Sequence, residues 1–386
     1  MTKRNSLPYR LRLPGPTAVP QRVQKAIAGQ VLNHRGPEFK DILNRTASLA
    51  QPIMGTENDV MFFASSGTGM MEASLANALG KGDRALILSN GQFGERFLSI
   101  TKALGIEALA IEAPWGETVP AEVVGEKLRE NDYQAVVVVH NESSTGAVTD
   151  LEALGKVVGE TDAILIVDSV SGLGGMEMRQ DDWGVDILVS ASQKALMCPP
   201  GLGLVSVSAK GWERIEKDNA KPRFYWDFRK ARLSAAKGQT THTTPVTLMA
   251  GLREALTMIH EEGLENVLRR HQRLADAFRA GGMALGLTIF TRSAIKSNTV
   301  TVFSMPEGLD GNAVVKHMYE RHNTVIAGAR NWLSGKVIRI GTMGQLSETD
   351  ILTDHEYLEA TFNHLKWPVK SGQGTGAAEK VLKREA

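Results

Sequence analysis

The apolar residues of this chain gather in short continuous runs rather than in alternation with polar ones. Such runs stand at 60–63, 84–88, 135–139, 163–167, 187–189 and 202–207. The purest is Ala135-Val136-Val137-Val138-Val139, which is β-branched almost throughout. A strand without alternation is covered on both faces, as in the parallel sheet of an α/β fold. Between and after these runs, apolar residues recur with helical period at 23–31, at 70–79 with Glu72 in the first turn, at 246–259 and at 264–280. Further on, strand patterns near 287–290, 299–303 and 337–340 accompany helix patterns near 312–320 and 348–365. These predict a smaller α+β unit.

Breaks in the pattern suggest the organisation. Leu13-Pro14-Gly15-Pro16-Thr17 cannot lie inside a helix, because its prolines fix φ and remove donors. Residues 1–20 are therefore expected to form an irregular arm. Glu261-Glu262-Gly263 interrupts two helical patterns, which places the boundary between a large domain, 21–262, and a small one, 263–386. The stretch from Lys370 is rich in Gly, Lys and Glu and is expected to be mobile. Arg223-Phe224-Tyr225-Trp226-Asp227 fits no element pattern, and 237–245 reads as a threonine-rich loop.

Composition narrows the classes of function. The 386 residues suffice for a large core, and a formal net charge of +1 argues against nucleic acid or an anionic membrane as the main partner. No apolar run is long enough to cross a bilayer, and the start lacks the apolar core of a signal peptide. Arg384-Glu385-Ala386 is not a peroxisomal address, and the single cysteine, Cys198, excludes an internal disulfide. A cytoplasmic protein is expected.

Candidate chemistry collects at the carboxyl ends of the predicted strands, where open α/β sheets bind ligands. Ser65-Ser66-Gly67-Thr68-Gly69 lies between a strand and a helix and would present backbone N–H groups to a phosphate, or else simply cap the helix. Phe93, after the second strand, could stack on a flat ring or pack at the edge of the core. His140-Asn141-Glu142-Ser143-Ser144-Thr145-Gly146 follows the valine strand, and its buried polar side chains need partners or a ligand. Asp168 ends an apolar strand, where a carboxylate needs a positive partner unless it only caps the next turn. Lys194 follows Asp186-Ile187-Leu188-Val189-Ser190-Ala191-Ser192-Gln193. It is either a solvated loop lysine or an amine nucleophile. Arg339, between Ile338 and Ile340, faces either solvent or a carboxylate. His34 has no neighbour at metal-ligand spacing, and no metal is expected. Together the strand ends offer a phosphate cradle, a ring stack, a ring-nitrogen partner and an amine, the parts of a pyridoxal 5'-phosphate (PLP) site.

Pro14-Gly15-Pro16, Ser66-Gly67-Thr68, His140-Asn141-Glu142-Ser143, Val167-Asp168-Ser169-Val170, Trp183-Gly184-Val185-Asp186, Ser192-Gln193-Lys194-Ala195 and Arg339-Ile340-Gly341 occur in this order. In them the chain resembles the class V, fold type I PLP-dependent aminotransferases, in the branch of the serine–glyoxylate and alanine–glyoxylate enzymes. The resemblance implies a mostly parallel seven-stranded sheet flanked by helices, followed by a small C-terminal α+β domain. It implies that Lys194 carries PLP and that Asp168 pairs with the ring nitrogen. Phe93 would stack on the ring, Ser143 would contact the side bearing its 3-oxygen, and Val170 would join the cofactor contacts. Ser66, Gly67, Thr68 and Gln193 would contact the phosphate. Arg339, with Gly15 nearby, would receive the substrate. Thr243 or Thr244 would reach the phosphate of a neighbouring subunit, which implies a homodimer with shared sites. The reaction implied is ping-pong transfer of an amino group from a small amino acid to glyoxylate or another small 2-oxo acid. The loop Thr240-Thr241-His242-Thr243-Thr244-Pro245 departs from the tyrosine-bearing loops of relatives. Two alternatives are a lyase of the cysteine desulfurase type, which would need a reactive Cys198, and a non-catalytic PLP-binding protein.

Overall fold

The computed structural model describes residues 9–217 and 223–384. Its main sheet has seven strands: β1 (Val60–Ser65), β2 (Arg84–Ser89), β3 (Glu107–Glu112), β4 (Ala135–Val139), β5 (Ile164–Asp168), β6 (Ile187–Ala191) and β7 (Gly201–Val207). They lie in the order β1-β7-β6-β5-β4-β2-β3. Only β7 runs antiparallel to its neighbours, and the other pairs are parallel.

The continuous apolar runs are explained by two cores, one on each face of this sheet. Val136, Val138, Leu165 and Val167 enter the core built with the Pro37–Met54 and Val246–Glu262 helices. Ala135, Val137, Val139, Ile164 and Ile166 enter the other, with the Gly67–Ala78 and Gln92–Leu104 helices. Successive side chains of one strand thus serve opposite cores, and each fully buried valine contributes about 1.5–3 kcal/mol relative to exposure. β3 is the strand this logic misses. It lies at one edge of the sheet, exposed or half-buried along its length, and its run Ala108-Leu109-Ala110-Ile111 is short and lies between two glutamates.

A second sheet is built from Thr288–Ile289, Val300–Ser304, Val337–Gly341 and Ala327–Gly328, all antiparallel. Phe303, Ile338 and Ile340 face a third core shared with the Leu264–Ala284, Gly311–His322 and Glu348–His364 helices. Gly263, at φ 86, joins the Val246–Glu262 and Leu264–Ala284 helices in a backbone region that glycine enters freely.

The stretch from Lys370, expected to be mobile, is instead mostly helix. Gln373–Arg384 buries Gly374, Ala378 and Leu382, with Ala378 and Leu382 in the third core. The buried Glu359 carboxylate accepts from the N–H groups of Gly372 (2.7 Å), Gly374 (2.9 Å) and Thr375 (3.0 Å), satisfying donors that a helix start leaves open. Composition pointed to disorder, whereas an acceptor about a dozen residues upstream decides the outcome.

Residues 1–8 of the expected arm lie outside the described residues; from residue 9 to residue 20 the arm is irregular apart from a two-residue strand, Arg10–Leu11, which pairs with Thr324–Val325. Arg12 O accepts from Gly341 N at 2.7 Å, and Thr17 N donates to Gln193 O at 3.1 Å. Arg10 and Arg12 pair with the buried Asp354, at 2.8 and 2.6 Å. The arm is therefore fastened to both sheets and passes between them. Among the described residues no helix is long and apolar enough to cross a membrane.

Candidate active site

Lys194 follows β6 by three residues and is buried. Its Nζ donates to the Pro14 carbonyl of the arm. Gly15 has φ 103, and a Cβ there would stand 2.6 Å from the same Nζ, so only glycine lets the arm come this close. Burial pushes the Lys194 pKa down to about 8 against the pull of Asp168, with Arg339 and Arg96 adding to the downward shift. The amine then gives up its proton more readily than an ordinary lysine, as a nucleophile needs. The solvated-loop alternative does not hold for this side chain.

Asp168 is the last residue of β5 and is buried. Its Oδ1 accepts from Val170 N at 2.7 Å, so it does cap the following turn. Burial nevertheless raises its pKa to about 7, outweighing the Val170 N–H and the Lys194 charge. A turn cap alone leaves the ionised form poorly compensated, and a cation at this carboxyl would restore it.

The glycine turn is part of a helix rather than a loop before one. The helix is Gly67–Ala78, starting earlier than the predicted 70–79, and Ser66 is its N-cap, accepting from Gly69 N at 3.3 Å. Glu72 accordingly lies beyond the first turn. A Cβ on Gly67 would meet Val170 Cγ2 at 2.8 Å, so the missing side chain lets the helix start press against the turn after Asp168. Thr68 Oγ1 accepts from Arg96 at 2.7 Å.

Phe93 lies in the first turn of the Gln92–Leu104 helix. Its N–H and that of Gly94 donate to Glu142 Oε2 at 2.9 and 3.3 Å. The other Glu142 oxygen accepts from Ser144 N at 3.0 Å and Ser144 Oγ at 2.6 Å. Glu142 is fully buried and ties the loop after β4 to the helix that carries Phe93. Its motif was visible in the sequence as polar residues in need of partners, but the partner, a helix N-terminus some fifty residues earlier, was not. Arg96 went unnoticed as well, although its i,i+3 spacing from Phe93 puts both on one helix face.

Arg339 does not face solvent. Its Nε donates to Gly328 O at 2.9 Å and its Nη1 to Ser143 O at 3.2 Å, and burial lowers its pKa. It thus reaches from the second sheet to the loop that follows β4. Gln193 leaves its Oε1 buried without a partner, as Thr244 leaves its Oγ1. Thr243 and Thr244 line a small cavity with Phe62, Phe63, Ala64 and Tyr225. Among the described residues no hydrogen bond joins Thr243 or Thr244 to Lys194 or Asp168. Residues 223–227, unplaced from sequence, form the turn before the Phe228–Ala235 helix.

Cys198 is buried, its Sγ 3.6 Å from Leu248 O, and burial pushes its thiol up to about 12. Such a thiol is not a nucleophile near neutrality. Among the described residues no cluster of His, Cys, Asp or Glu could hold a metal ion. A cavity of about 960 Å³ is lined by His140, Trp183, Arg269 and Lys296 among others, and does not include Lys194.

A seven-stranded sheet in this order, with a buried lysine and a buried carboxylate at its carboxyl edge, is the fold type I architecture of PLP-dependent aminotransferases. The family model for class-V aminotransferases matches residues 13–341, and the chain belongs to that family of enzymes. It is 35% identical to the L-aspartate–glyoxylate aminotransferase of Paracoccus denitrificans over 95% of this chain and 94% of that protein. It is 35% identical to the serine–glyoxylate aminotransferase of Methylorubrum extorquens over 97% of this chain and 96% of that protein. The crystal structure of ureidoglycine–glyoxylate aminotransferase from Bacillus subtilis superposes with a TM-score of 0.93 at 28% identity, covering 99% of this chain and 100% of that one. Transamination is the activity these findings support.

Proposed function

We propose that Lys194 carries PLP and that the enzyme moves the amino group of a small amino acid to glyoxylate or a similar 2-oxo acid, as a cytoplasmic homodimer. The observation that carries this reading is the buried Lys194 amine, its pKa held down to about 8, within electrostatic reach of the buried Asp168. The residues present suit the cofactor. Asp168 lacks a full cationic partner, Gln193 and Thr244 have buried acceptors without donors, and Gly67 and Gly15 keep space that any side chain would fill.

When bound, PLP supplies the carbonyl that takes up the amino group and the ring that draws electrons from the substrate α-carbon. Lys194 Nζ would anchor it and, as a free amine, would move the proton of the substrate α-carbon. The Pro14 carbonyl orients that amine. Asp168, one oxygen fixed by Val170 N–H, keeps the ring nitrogen protonated. Phe93 would pack on the ring, with Ser143 and Val170 around it. Ser66, Gly67, Thr68 and Gln193 would hold the phosphate at the helix N-terminus, joined by Thr243 or Thr244 of a second subunit. Arg339 takes the substrate carboxylate beside Gly15 with its guanidinium fork. Glyoxylate as acceptor rests on the names of the relatives, whose donors differ: aspartate in one, serine in another.

Borohydride reduction followed by peptide mapping should place a pyridoxyl group on Lys194 alone. Spectral titration with single amino acids, then with glyoxylate or pyruvate, should reveal the donor and acceptor. A label on another lysine, or normal turnover by Lys194→Ala, would defeat the assignment.

A further inference from the structure

Arg96 lies one turn beyond Phe93 on the Gln92–Leu104 helix, with its guanidinium 4.5 Å from the Phe93 ring centroid. Its Nη1 donates to Thr68 Oγ1 at 2.7 Å, which joins the ring-stacking candidate to the glycine turn. Among the described residues Arg96 forms no ion pair. Burial governs the titration of both Lys194 and Asp168, and behind it the Arg96 charge acts on each, favouring the free amine and the carboxylate.

The remaining groups proposed around the phosphate are neutral: Ser66, Gly67, Thr68, Gln193, Thr243 and Thr244. A phosphate monoester carries about −1.5 to −2 at pH 7, whereas a helix N-terminus offers only about half a positive charge. A cation is missing from that balance, and Arg96 is a cation without a carboxylate. By donating to Thr68 Oγ1, Arg96 also occupies an acceptor site of that hydroxyl and leaves its own O–H free to donate elsewhere.

Resting on the reading that PLP is held at Lys194, we propose that Arg96 is a positioning residue for the phosphate end of the cofactor. It orients the Thr68 hydroxyl as a donor and supplies the positive charge that the neutral cradle lacks. Its contact with Phe93 links the phosphate end of the site to the ring end.

The test compares PLP with pyridoxal, which has the ring and aldehyde but no phosphate. Equilibrium binding of each to the full-length, cofactor-stripped protein is measured for the parent, Arg96→Gln and Arg96→Lys. Arg96→Gln should lose roughly ten- to a hundredfold of its PLP affinity while pyridoxal binding changes less than about twofold. Arg96→Lys, which keeps the charge but not the fork, should fall between parent and Arg96→Gln. Equal losses for both ligands would mean that Arg96 only braces Phe93, and unchanged PLP affinity would make it a surface residue; either overturns the proposal. Borohydride mapping of the parent, done separately, shows whether Lys194 holds the cofactor at all. Failure there sinks the underlying reading and this one with it, and it is distinguishable from failure at Arg96 alone.

Discussion

Asp168 concentrates the tension between stability and chemistry at a single side chain. In the cofactor-free protein its carboxyl is buried and its pKa is raised to about 7 from an ordinary 3.8. The folded chain therefore holds a proton that the unfolded chain has released across that interval. Stability is favoured below about pH 4 and falls as pH rises through about 7. Asp168→Asn removes the titration. The cofactor-free variant should be more stable than the parent at pH 8 by up to about 4 kcal/mol, the full shift at 1.36 kcal/mol per pH unit, and similar to it near pH 4. Urea melts at both pH values measure this. With PLP bound, the same variant should retain the cofactor and lose roughly 10²–10³-fold in turnover, because an amide cannot hold the ring-nitrogen proton. Turnover within a few-fold of the parent would reduce Asp168 to the turn cap that its bond to Val170 N also makes it.

At the scale of elements, two helix starts are held by distant carboxylates. Glu142 fastens the start of the Gln92–Leu104 helix and thereby the position of Phe93. Glu359 does the same for Gln373–Arg384, accepting four hydrogen bonds from Gly372, Gly374 and Thr375. Glu359→Ala should loosen the terminal helix at a cost of about 1–3 kcal/mol. Hydrogen exchange should then quicken at 373–384 while β4 and β5 keep their protection. Unchanged exchange at 373–384 would show that Ala378 and Leu382, packed in the third core, hold the helix unaided. A charge-rich tail is read as mobile because a sequence window contains neither the acceptor nor the surface it docks on.

For the whole molecule, the loop at 240–245 bears on assembly, because Arg35 fastens its start through the Thr240 carbonyl while its later side chains keep unpaired polar atoms. Thr244 Oγ1 and His242 Nε2 are buried without partners, and Thr243 and Thr244 lie beside Ala64, next to the start of the glycine turn. If these hydroxyls serve a second copy, inactive subunits should complement each other. Mixing Lys194→Ala with the double variant Thr243→Ala, Thr244→Ala should restore part of the activity, since one site per mixed dimer is then intact. Sedimentation as a monomer, or no recovery from well-folded mixed dimers, would count against shared sites.

Much of this protein was decided by sequence alone, wherever the signal is local. Val136 to Val139 can only be a strand covered on both faces, Pro14 and Pro16 exclude a helix, and Gly263 separates two helices. The ordered motifs around Ser66, Ser143, Asp168, Lys194 and Arg339 are legible because each lies within a few residues of a strand end. What the tertiary structure decided were the pairings across long stretches of chain. These are the Pro14 carbonyl on Lys194, Glu142 beneath Phe93, Arg96 on Thr68, and Arg339 turned to Ser143 rather than to water. The strand β3 belongs with them, since its short run Ala108 to Ile111 is exposed or half-buried and is placed in the sheet by its pairing with β2. Hydrophobic periodicity encodes what a segment must bury; it carries no record of which distant donor meets which acceptor, because that is settled only when the sheets and the arm close around one another.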